Sequence, residues 1–360
     1  MRNKTLIRLY KPQIHVAQTT SLRMWLLSLC AILAIFQSSA RDAFSSLIIA
    51  ATTVAVAVIA EALIYFRTER SGTLKDGSAI ASALVLTLLL PNNIHPIYAA
   101  MGAAFAMAVV KHSFGGLGSN WLNPAVGGWL FIRLSWPEVF NNSLEGSPLV
   151  LISQNMGRPN PDNNPLGVLS AIGHGYGTYG DMPLDNFLRL FFGEWLFSFA
   201  RLEFPEAYIG YFNASAVGII ADRGIFALLL GTIFFTAIKV NRAWVPAVFL
   251  GVYMTFVRIF GAIPYGGALF EGDLFFAVFS GGVIVSAFLL VCDHATGPKS
   301  VKGVLATSAL GGFFAFLFRY YGAEVYGAIL AIVIVNTIVP FIRDIESKYL
   351  YKDKSLGSSL

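Results

Sequence analysis

Three carboxylates lie within or beside strongly apolar stretches: Glu61, Asp76 and Asp293. A carboxylate at membrane depth is costly unless it is paired or has a function, and its oxygens suit Na⁺ binding or proton relay. We therefore predict an ion path through these three residues. For Asp76 and Asp293 the alternatives are helix capping and pairing with a nearby lysine. For Glu61 a buried structural pair is favoured.

A glycine-rich stretch, KHSFGGLG, begins at Lys111 and is followed by two asparagines. It follows an apolar helix and lacks the GK[ST] ending of a phosphate-binding loop, so it does not predict a nucleotide site. Glycines allow a flat ring to lie against the backbone, and asparagine amides can hydrogen-bond ring carbonyls. The predicted flavin or quinone contacts are Gly115, Gly116, Gly118, Asn120 and Asn123. Helix packing and helix capping are the alternatives.

Other cofactor chemistry finds no support in the residue pattern. The two cysteines, Cys30 and Cys292, lie in separate apolar runs without CxxC or histidine spacing. The histidines do not recur at the i, i+4 spacing that would place two of them on one helix face. The sequence therefore predicts no metal site, haem or iron–sulfur cluster, and we assign no catalytic residue.

The composition places these residues in a membrane protein. Of the 360 residues, 56% are hydrophobic and 12% are charged, whereas a soluble chain carries about 25% charged residues. The net charge of +5 is dispersed over loops and does not predict nucleic-acid binding. We predict an all-α integral membrane protein of about ten transmembrane helices. Apolar windows lie at about 24–40, 43–66, 77–90, 97–110, 121–136, 224–239, 243–263, 274–292, 301–318 and 325–342.

Lysine and arginine positions orient these spans. With the N-terminus inside and strict alternation, every lysine falls on the inner side, and all basic residues left outside are arginines. Both termini are then cytoplasmic. The predicted units are residues 1–136 as a first membrane half, 137–223 as an extracytoplasmic loop, 224–343 as a second half and 344–360 as a cytoplasmic tail. Within the loop, 187–200 is too short to span and is predicted to be interfacial or re-entrant.

Two of the predicted spans are short or interrupted. The stretch from Gly77 to Leu90 is about 21 Å long as a helix, against a hydrocarbon core of about 30 Å. The stretch from Gly281 to Cys292 runs into a polar segment. GSAIASAL from Gly77 matches GGVIVSAF from Gly281 at an offset of 204 residues. We predict a five-plus-five inverted repeat, with the functional site at its interface; chance similarity between apolar segments is the alternative.

The densest motifs resemble a known family. The first half contains SGTLKDGSAIASALVLTLLLPNN and KHSFGGLGSNWLNPAVGGWLFIRL, and the second contains SGGVIVSAFLLVCDHATGPKSVKG. These resemble the membrane-embedded RnfD component of the bacterial Rnf ion-translocating electron-transport complex, which is related to the NqrB component of the sodium-pumping NADH:quinone oxidoreductase. Asp293, Thr296 and Pro298 stand on the family's Thr-Asp-x-x-Thr-x-Pro turn, where Cys292 replaces the first threonine. The resemblance covers nearly the whole chain.

The resemblance implies a subunit of the bacterial inner membrane that holds flavin, as FMN or riboflavin. Family members carry FMN as a phosphoester on the threonine of a Ser-x-Ala-Thr-Pro-Leu-Asp motif. Here the Pro-Leu-Asp tail is present, but Met182 holds the threonine position, and a thioether has no hydroxyl to esterify. Thr178, the only threonine of the outer loop, is the alternative acceptor in a displaced position. We therefore expect no covalent FMN.

The predicted function is that of a membrane subunit in a redox-driven ion-translocating oxidoreductase complex, which relays electrons through flavin and moves Na⁺ or H⁺. Such a chain works with other subunits and is not catalytic alone. The alternative is a secondary transporter or channel for a small solute without flavin, because paired interrupted helices in an inverted repeat are equally typical of transporters. Flavin absorbance of the purified chain favours the first function, and solute flux by the flavin-free chain favours the second.

The orientation makes a direct prediction for the long loop. A cysteine introduced by Asn163→Cys is expected to react with a membrane-impermeant maleimide in intact cells, because every lysine sorts to the opposite side. Labelling of this cysteine only after lysis would contradict the orientation.

Overall fold

The computed structural model of the protein describes residues 19–40, 44–68, 76–113, 116, 120–141, 218–238, 242–261, 263–265, 269–270, 274–293, 296–298, 300–322 and 325–357. All regular elements in these ranges are helical, with one isolated bridge between Pro91 and Ile219. The helices are α1 (Thr20–Ser39), α2 (Ser45–Thr68), α3 (Ser78–Leu89), α4 (Pro96–Phe105), α5 (Pro124–Ser135), α6 (Pro137–Asn141), α7 (Ile220–Arg223), α8 (Ile225–Ala237), α9 (Trp244–Phe260), α10 (Leu274–Phe279), α11 (Val283–Val285), α12 (Val301–Phe316) and α13 (Gly327–Gly357). Three π-helical turns extend α4, α11 and α12: Ala106–His112, Ser286–Leu290 and Leu317–Tyr321.

Four described segments are long and apolar enough to cross a bilayer: Thr20–Ser39, Ser45–Arg67, Val301–Tyr321 and Gly327–Lys348. The helices α3, α8 and α9 are apolar but shorter, with 10–17 residues each. The chain is therefore a multi-pass membrane protein, and the predicted all-α class is confirmed for the described residues. The last helix continues to Gly357, so no helix end separates the predicted second half from the predicted tail.

Side-chain caps set where several of these helices begin. The Thr19 hydroxyl accepts a hydrogen bond from Leu22 N (3.2 Å) before α1, and the Ser300 hydroxyl accepts one from Gly303 N (2.9 Å) before α12. Asn123 Oδ1 accepts from Ala125 N (3.0 Å) at the start of α5. Serine, threonine and asparagine at this position satisfy backbone donors that have no partner inside the helix. The window predicted at 121–136 accordingly begins as a helix only after Asn123.

The window predicted as one span at 274–292 is not a continuous helix. α10 ends at Phe279 and α11 begins only at Val283. Gly281 (φ 64°) and Gly282 (φ 72°) between them adopt left-handed backbone angles, which glycine tolerates without a steric penalty. α3 also begins after a left-handed glycine, Gly77 (φ 74°). Both short helices predicted from the sequence are thus present, and each starts at a sharp glycine turn.

The end of α3 meets the start of α11. Ile220 N donates to Leu90 O (2.9 Å) just beyond α3. Two residues later, the Asp222 carboxylate accepts from Gly281 N and Gly282 N (2.9 Å each) immediately before α11. We call this region the Asp222 end.

The start of α3 lies beside the end of α11. Lys111 Nζ donates to the Ser78 hydroxyl at the first residue of α3. Lys111 also lines a cavity together with Leu290 and Asp293, where α11 and its π-helical turn have ended. We call this region the Ser78 end. α3 and α11 therefore run in opposite directions between two polar regions that are separated by the 12 residues of α3, or about 18 Å.

α4 and α5 approach closely through glycines. A Cβ atom added at Gly128 would lie 2.7 Å from Gly102 O and 3.1 Å from the Cβ of Ala106. Since real side-chain carbons do not come this close to a carbonyl oxygen, the two backbones can pack as they do only while residue 128 is glycine.

We predict that Gly128→Ala lowers the stability of the purified chain. Alanine favours a helix by about 1 kcal/mol over glycine, but the clash with α4 costs about 1–3 kcal/mol. Gly251→Ala is the matched control, because a Cβ there meets nothing within 4 Å. Thermal unfolding in detergent is expected to show a lower midpoint for Gly128→Ala only. Equal midpoints for the two variants would contradict the close approach.

Candidate functional site

A buried ion pair lies at the Ser78 end. Lys111 Nζ donates to both carboxylate oxygens of Glu61 (2.8 Å each) and to Ser78 Oγ (2.7 Å). The Lys111 and Glu61 side chains are 1% and 0% exposed. All three ammonium donors are therefore satisfied. The buried pair that the sequence favoured for Glu61 is present, and its partner is Lys111.

Lys111 occupies a different place from the one inferred for it. The sequence analysis used it, like every lysine, as a mark of the inner side, but it belongs to the π-helical turn that extends α4 and is buried. The wider π-helical turn continues the chain without leaving the core, and the carbonyl of Lys111 accepts from Gly116 N (3.0 Å). A π-helical turn within an α-helix is often found at a functional position.

Asp76 acts on the same helix start. Its Oδ1 accepts from Ser78 N (2.8 Å), so the backbone and the hydroxyl of Ser78 are held from two sides. Trp25 covers Gly77, where an added Cβ would lie 3.0 Å from the indole ring. The helix-cap interaction considered for Asp76 is thus present, while its role in ion movement stays a prediction.

The two predicted asparagine contacts are both engaged with the protein itself. With its amide oriented to satisfy both neighbours, the buried Asn120 donates to Lys111 O (3.0 Å) and Gly116 O (2.9 Å). Asn123 caps α5 and donates through Nδ2 to Asp293 Oδ2 (2.9 Å). These amides order the turn between α4 and α5 and join it to the end of α11.

Asp293 connects the two halves of the sequence. It follows α11, is partly buried, and accepts at Oδ2 from Asn123 Nδ2 and from Thr296 Oγ1 (3.1 Å). The structure therefore gives Asp76 and Asp293 different hydrogen-bond partners. A polar route still links them, because Asp76 holds Ser78, Ser78 binds Lys111, and Lys111 lines a cavity with Asp293.

Asp293 borders three cavities at the Ser78 end. A cavity of about 50 Å³ lies beside Lys111 and Asn120. One of about 180 Å³ lies beside Arg23, and one of about 10 Å³ lies beside Asn336. The Asp293 carboxylate thus lines three neighbouring, partly open cavities.

These cavities do not enclose a flavin. The cavity beside Asn120 and Asn123 has a volume of about 50 Å³, whereas pockets for organic ligands of that size measure about 300 Å³ or more. The amide groups predicted to hold ring carbonyls are already bonded to Lys111, Gly116 and Asp293. The described residues therefore do not fit an enclosed flavin at this place.

A second buried cation lies at the Asp222 end. Arg319 is 1% exposed and belongs to the π-helical turn Leu317–Tyr321. Its Nη1 donates to Ala277 O (2.6 Å), Ser280 O (2.8 Å) and the Tyr253 hydroxyl (2.9 Å), and its Nη2 donates to Ser280 Oγ. Arg319 therefore satisfies carbonyls exposed by the break between α10 and α11.

Asp222 completes this end from the other side of the break. It is 3% exposed, and its two oxygens each accept one of the glycine N–H groups that precede α11. A carboxylate at the start of a helix is stabilised by those donors and by the helix dipole. Together, Asp222 and Arg319 satisfy the donors and the acceptors of one broken helix.

The sequence analysis missed both residues. Its orientation leaves Arg319 among the outer arginines, and its predicted outer loop, 137–223, includes Asp222. The sequence did contain a usable pattern. A basic residue lies near the end of the helix that follows each short span, Lys111 in the first half and Arg319 in the second. A serine also lies near the start of each short span. The two cations are 208 residues apart, whereas the matching glycines are 204 apart, so a constant offset does not align them.

Several predicted positions lie outside the described residues. They are Gly115, Gly118, Thr178, Met182 and the stretch 187–200.

The chain matches the sequence model of a family described as the "NQR2, RnfD, RnfE family" over residues 8–352. The chain belongs to this family. The resemblance found in the two densest motifs is thereby confirmed over nearly the full length.

Curated relatives of the NQR2, RnfD, RnfE type align over most of their own lengths. The chain is 26% identical over 337 residues to the D subunit of the proton-translocating ferredoxin:NAD(+) oxidoreductase complex of Clostridium ljungdahlii, covering 92% of this chain and 91% of the relative. It is 26% identical over 306 residues to the D subunit of the Na(+)-translocating ferredoxin:NAD(+) oxidoreductase complex of Acetobacterium woodii, covering 85% and 82%. The D subunit of an ion-translocating oxidoreductase complex of Shewanella piezotolerans is 25% identical, with 96% of each chain covered. The chain is equally identical to the relative named as proton-translocating and to the one named as Na(+)-translocating, so sequence identity does not indicate which cation is moved.

The buried pair makes a stability prediction. Lys111→Met removes the ammonium group that donates to both oxygens of the buried Glu61 carboxylate, which costs about 3–5 kcal/mol in the free energy of unfolding. Lys348→Met removes an exposed lysine that lies 2.7 Å from Asp344, and an exposed pair contributes about 0–1 kcal/mol. Unfolding in mixed detergent micelles is expected to separate the two variants clearly. Similar decreases in the free energy of unfolding for the two variants would show that the buried pair stabilises the chain no more than the exposed pair does.

Proposed function

We propose that this chain is the membrane-embedded D subunit of a redox-driven ion-translocating oxidoreductase complex. In this complex it relays electrons through flavin and couples their passage to Na⁺ or H⁺ movement. Two kinds of support meet in this proposal. The family match covers residues 8–352, and Asp293 lines three neighbouring cavities. The relatives named above are subunits of ferredoxin:NAD(+) oxidoreductase complexes, so we propose that other subunits of such a complex are its partners.

The membrane architecture that we propose is ten spans in a five-plus-five inverted repeat. Helices of the second set begin 199 to 205 residues after those of the first. The paired starts are Thr20 with Ile225, Ser45 with Trp244, Ser78 with Val283, Pro96 with Val301 and Pro124 with Gly327. The opposite directions of α3 and α11 support an inverted relation. In such folds, substrate and ion sites lie at the repeat interface beside broken helices.

The orientation that we propose puts the Ser78 end on the cytoplasmic side of a bacterial inner membrane, together with both termini. The support is the sorting of the lysines. Asp293 then faces the compartment from which an outward pump loads its cation.

In this proposal Asp293 receives the cation, and the surrounding polar groups define its route. The partly buried carboxylate attracts a cation that has entered one of the adjoining cavities, and Asn123 and Thr296 orient its oxygens. Lys111 is neutralised by Glu61 and therefore does not oppose the cation as a free positive charge. Asp76 acts indirectly, by fixing the start of α3 on which Lys111 is anchored.

The flavin part of the proposal rests on the family resemblance, since the described cavities do not enclose such a ring. A flavin bound to this chain would supply one-electron and two-electron redox chemistry.

Intact-mass measurement of the purified chain tests the flavin expectation. We predict no covalent FMN, because Met182 cannot form the phosphoester. An FMN adduct that disappears in Thr178→Ala would instead show a displaced acceptor. A flavin-free complex without electron transfer, together with solute flux by this chain alone in liposomes, would overturn the redox function in favour of a transporter.

Substitution of the two aspartates tests the ion path. Asp→Asn keeps the size and removes the charge, so Asp293→Asn and Asp76→Asn are each expected to weaken cation-dependent turnover more than complex assembly. If the two residues act together, the double variant is expected to lose less than the two single losses combined. If the losses of turnover in the two single variants simply add in the double variant, or if neither single variant changes the cation dependence, Asp76 and Asp293 have no shared role in the ion path. Only their helix-capping roles would then remain.

A further inference from the structure

The largest of the three cavities beside Asp293, with a volume of about 180 Å³, lies where three helices begin. Arg23 near the start of α1, Val245 near the start of α9 and Val304 near the start of α12 line it. The first turn of a helix carries a partial positive charge. The three helix starts therefore favour an anion in the space between them.

Two arginine side chains line this cavity, Arg23 and Arg242. Arg23 is partly buried, and Arg242 is exposed. Among the described residues, neither arginine side chain forms an ion pair or donates a hydrogen bond. A guanidinium group presents paired N–H donors whose geometry matches the oxygens of a phosphate or carboxylate group. The cavity thus offers two cations to an anionic ligand.

The charges around the cavity favour a ligand with a single negative charge. Asp293 is the acidic residue among the described lining residues, and its Oδ2 already accepts from Asn123 and Thr296. Two arginines and one aspartate leave one net positive charge for a ligand to balance. A phosphodiester carries one negative charge at neutral pH, whereas a phosphate monoester carries about 1.5 to 2. The charge balance therefore favours a phosphodiester.

The residues next to both arginines place the cavity at the level of the lipid head groups. Trp25 follows Arg23 by two residues, and Trp244 follows Arg242 by two. Tryptophan is enriched where the bilayer meets water. Arg242 Cζ lies 5.9 Å from the centre of the Trp244 ring, and contact through the face of the guanidinium leaves its in-plane N–H donors available. Val301, which is 56% exposed at the start of α12, offers an apolar surface to lipid chains.

We propose that this cavity binds the phosphodiester head group of a membrane phospholipid. Arg23 and Arg242 donate to the phosphate oxygens, and Val245 and Val304 contact the adjoining ester carbons. The volume of about 180 Å³ is well above the 10–15 Å³ or so that one water molecule needs, and below the roughly 300 Å³ of pockets for larger organic ligands. Basic pockets between transmembrane helices are typical sites for lipid head groups. The proposal does not depend on the redox function proposed above.

The test uses the purified, assembled complex in detergent, washed free of loosely held lipid. The two probes are radioactive phosphatidylglycerol and radioactive inorganic phosphate, and the amount bound at equilibrium is measured against probe concentration. Arg23→Gln and Arg242→Gln each remove one cation from the cavity. Because Arg242 is exposed and precedes α9, its variant tests the site even where Arg23→Gln prevents assembly. Lys302→Gln is the matched control, since it removes an exposed positive charge from the start of α12 that does not line the cavity.

Each arginine variant is expected to need at least about tenfold more phosphatidylglycerol for half-saturation, because a lost hydrogen bond to a charged group weakens binding by about that factor. Lys302→Gln is expected to bind the lipid like the unmodified complex. Equal lipid affinity in the unmodified complex and the arginine variants would overturn the site. An equal loss of affinity in Lys302→Gln would also overturn it, because the effect would then come from general surface charge. Binding of inorganic phosphate that depends on the two arginines, without lipid binding that depends on them, would overturn the choice of a lipid.

Discussion

A helix that breaks inside a bilayer exposes backbone N–H and C=O groups that lipid cannot satisfy. This constraint shapes the arrangement around α3 and α11. Each short helix begins after a left-handed glycine, and polar side chains hold each start. Asp76 and Lys111 hold the start of α3, while Asp222 holds the start of α11. The break is stable because side chains from other helices replace the missing hydrogen bonds of the helix ladder.

The Ser78 end and the Asp222 end satisfy these backbone groups with different charged side chains. At the Ser78 end, Lys111 is neutralised by Glu61 and lies beside cavities that reach Asp293. At the Asp222 end, Arg319 donates to carbonyl and hydroxyl oxygens around a packed break. A buried, hydrogen-bonded charge cluster fixes geometry, whereas a partly buried carboxylate beside cavities is accessible to an ion. Some polar groups of the described residues therefore hold the broken helices, while the Asp293 carboxylate lines three neighbouring cavities.

Part of this arrangement could be predicted from the sequence because the relevant signals are local. The length of the Gly77–Leu90 stretch and the proline after it predict a short helix, and Asn123 and Ser300 predict helix starts. The need to pair a membrane-embedded carboxylate predicts a partner for Glu61. The identity of that partner could not be read, because Lys111 lies 50 residues away.

Other features depend on contacts or backbone states that leave a weak local pattern. The sequence marked Gly281 as the start of a short stretch, but residues 274–292 are apolar enough to be one span, so the left-handed turn that divides them was not predicted. The π-helical turns that direct Lys111 and Arg319 inward have no sequence signature comparable to a cap. Asp222 gains its role through glycines 59 and 60 residues later, and Asn123 meets Asp293 across 170 residues. Sequence reasoning therefore located the short helices better than the side chains that hold them.

The contact between Asn123 and Asp293 tests this account most directly, because it exists only if the two halves meet with the start of α3 beside the end of α11. In a chain that carries Cys30→Ala and Cys292→Ala, we would add Asn123→Cys, Asp293→Cys and a protease site at residue 163. A short, reducible thiol cross-linker would then be applied in native membranes. Asn123→Cys with Thr337→Cys, an exposed position on α13, provides the control pair. The account predicts that the two proteolytic fragments of the first pair stay joined until reduction and that those of the control pair separate. Fragments of the first pair that separate without reduction would contradict it.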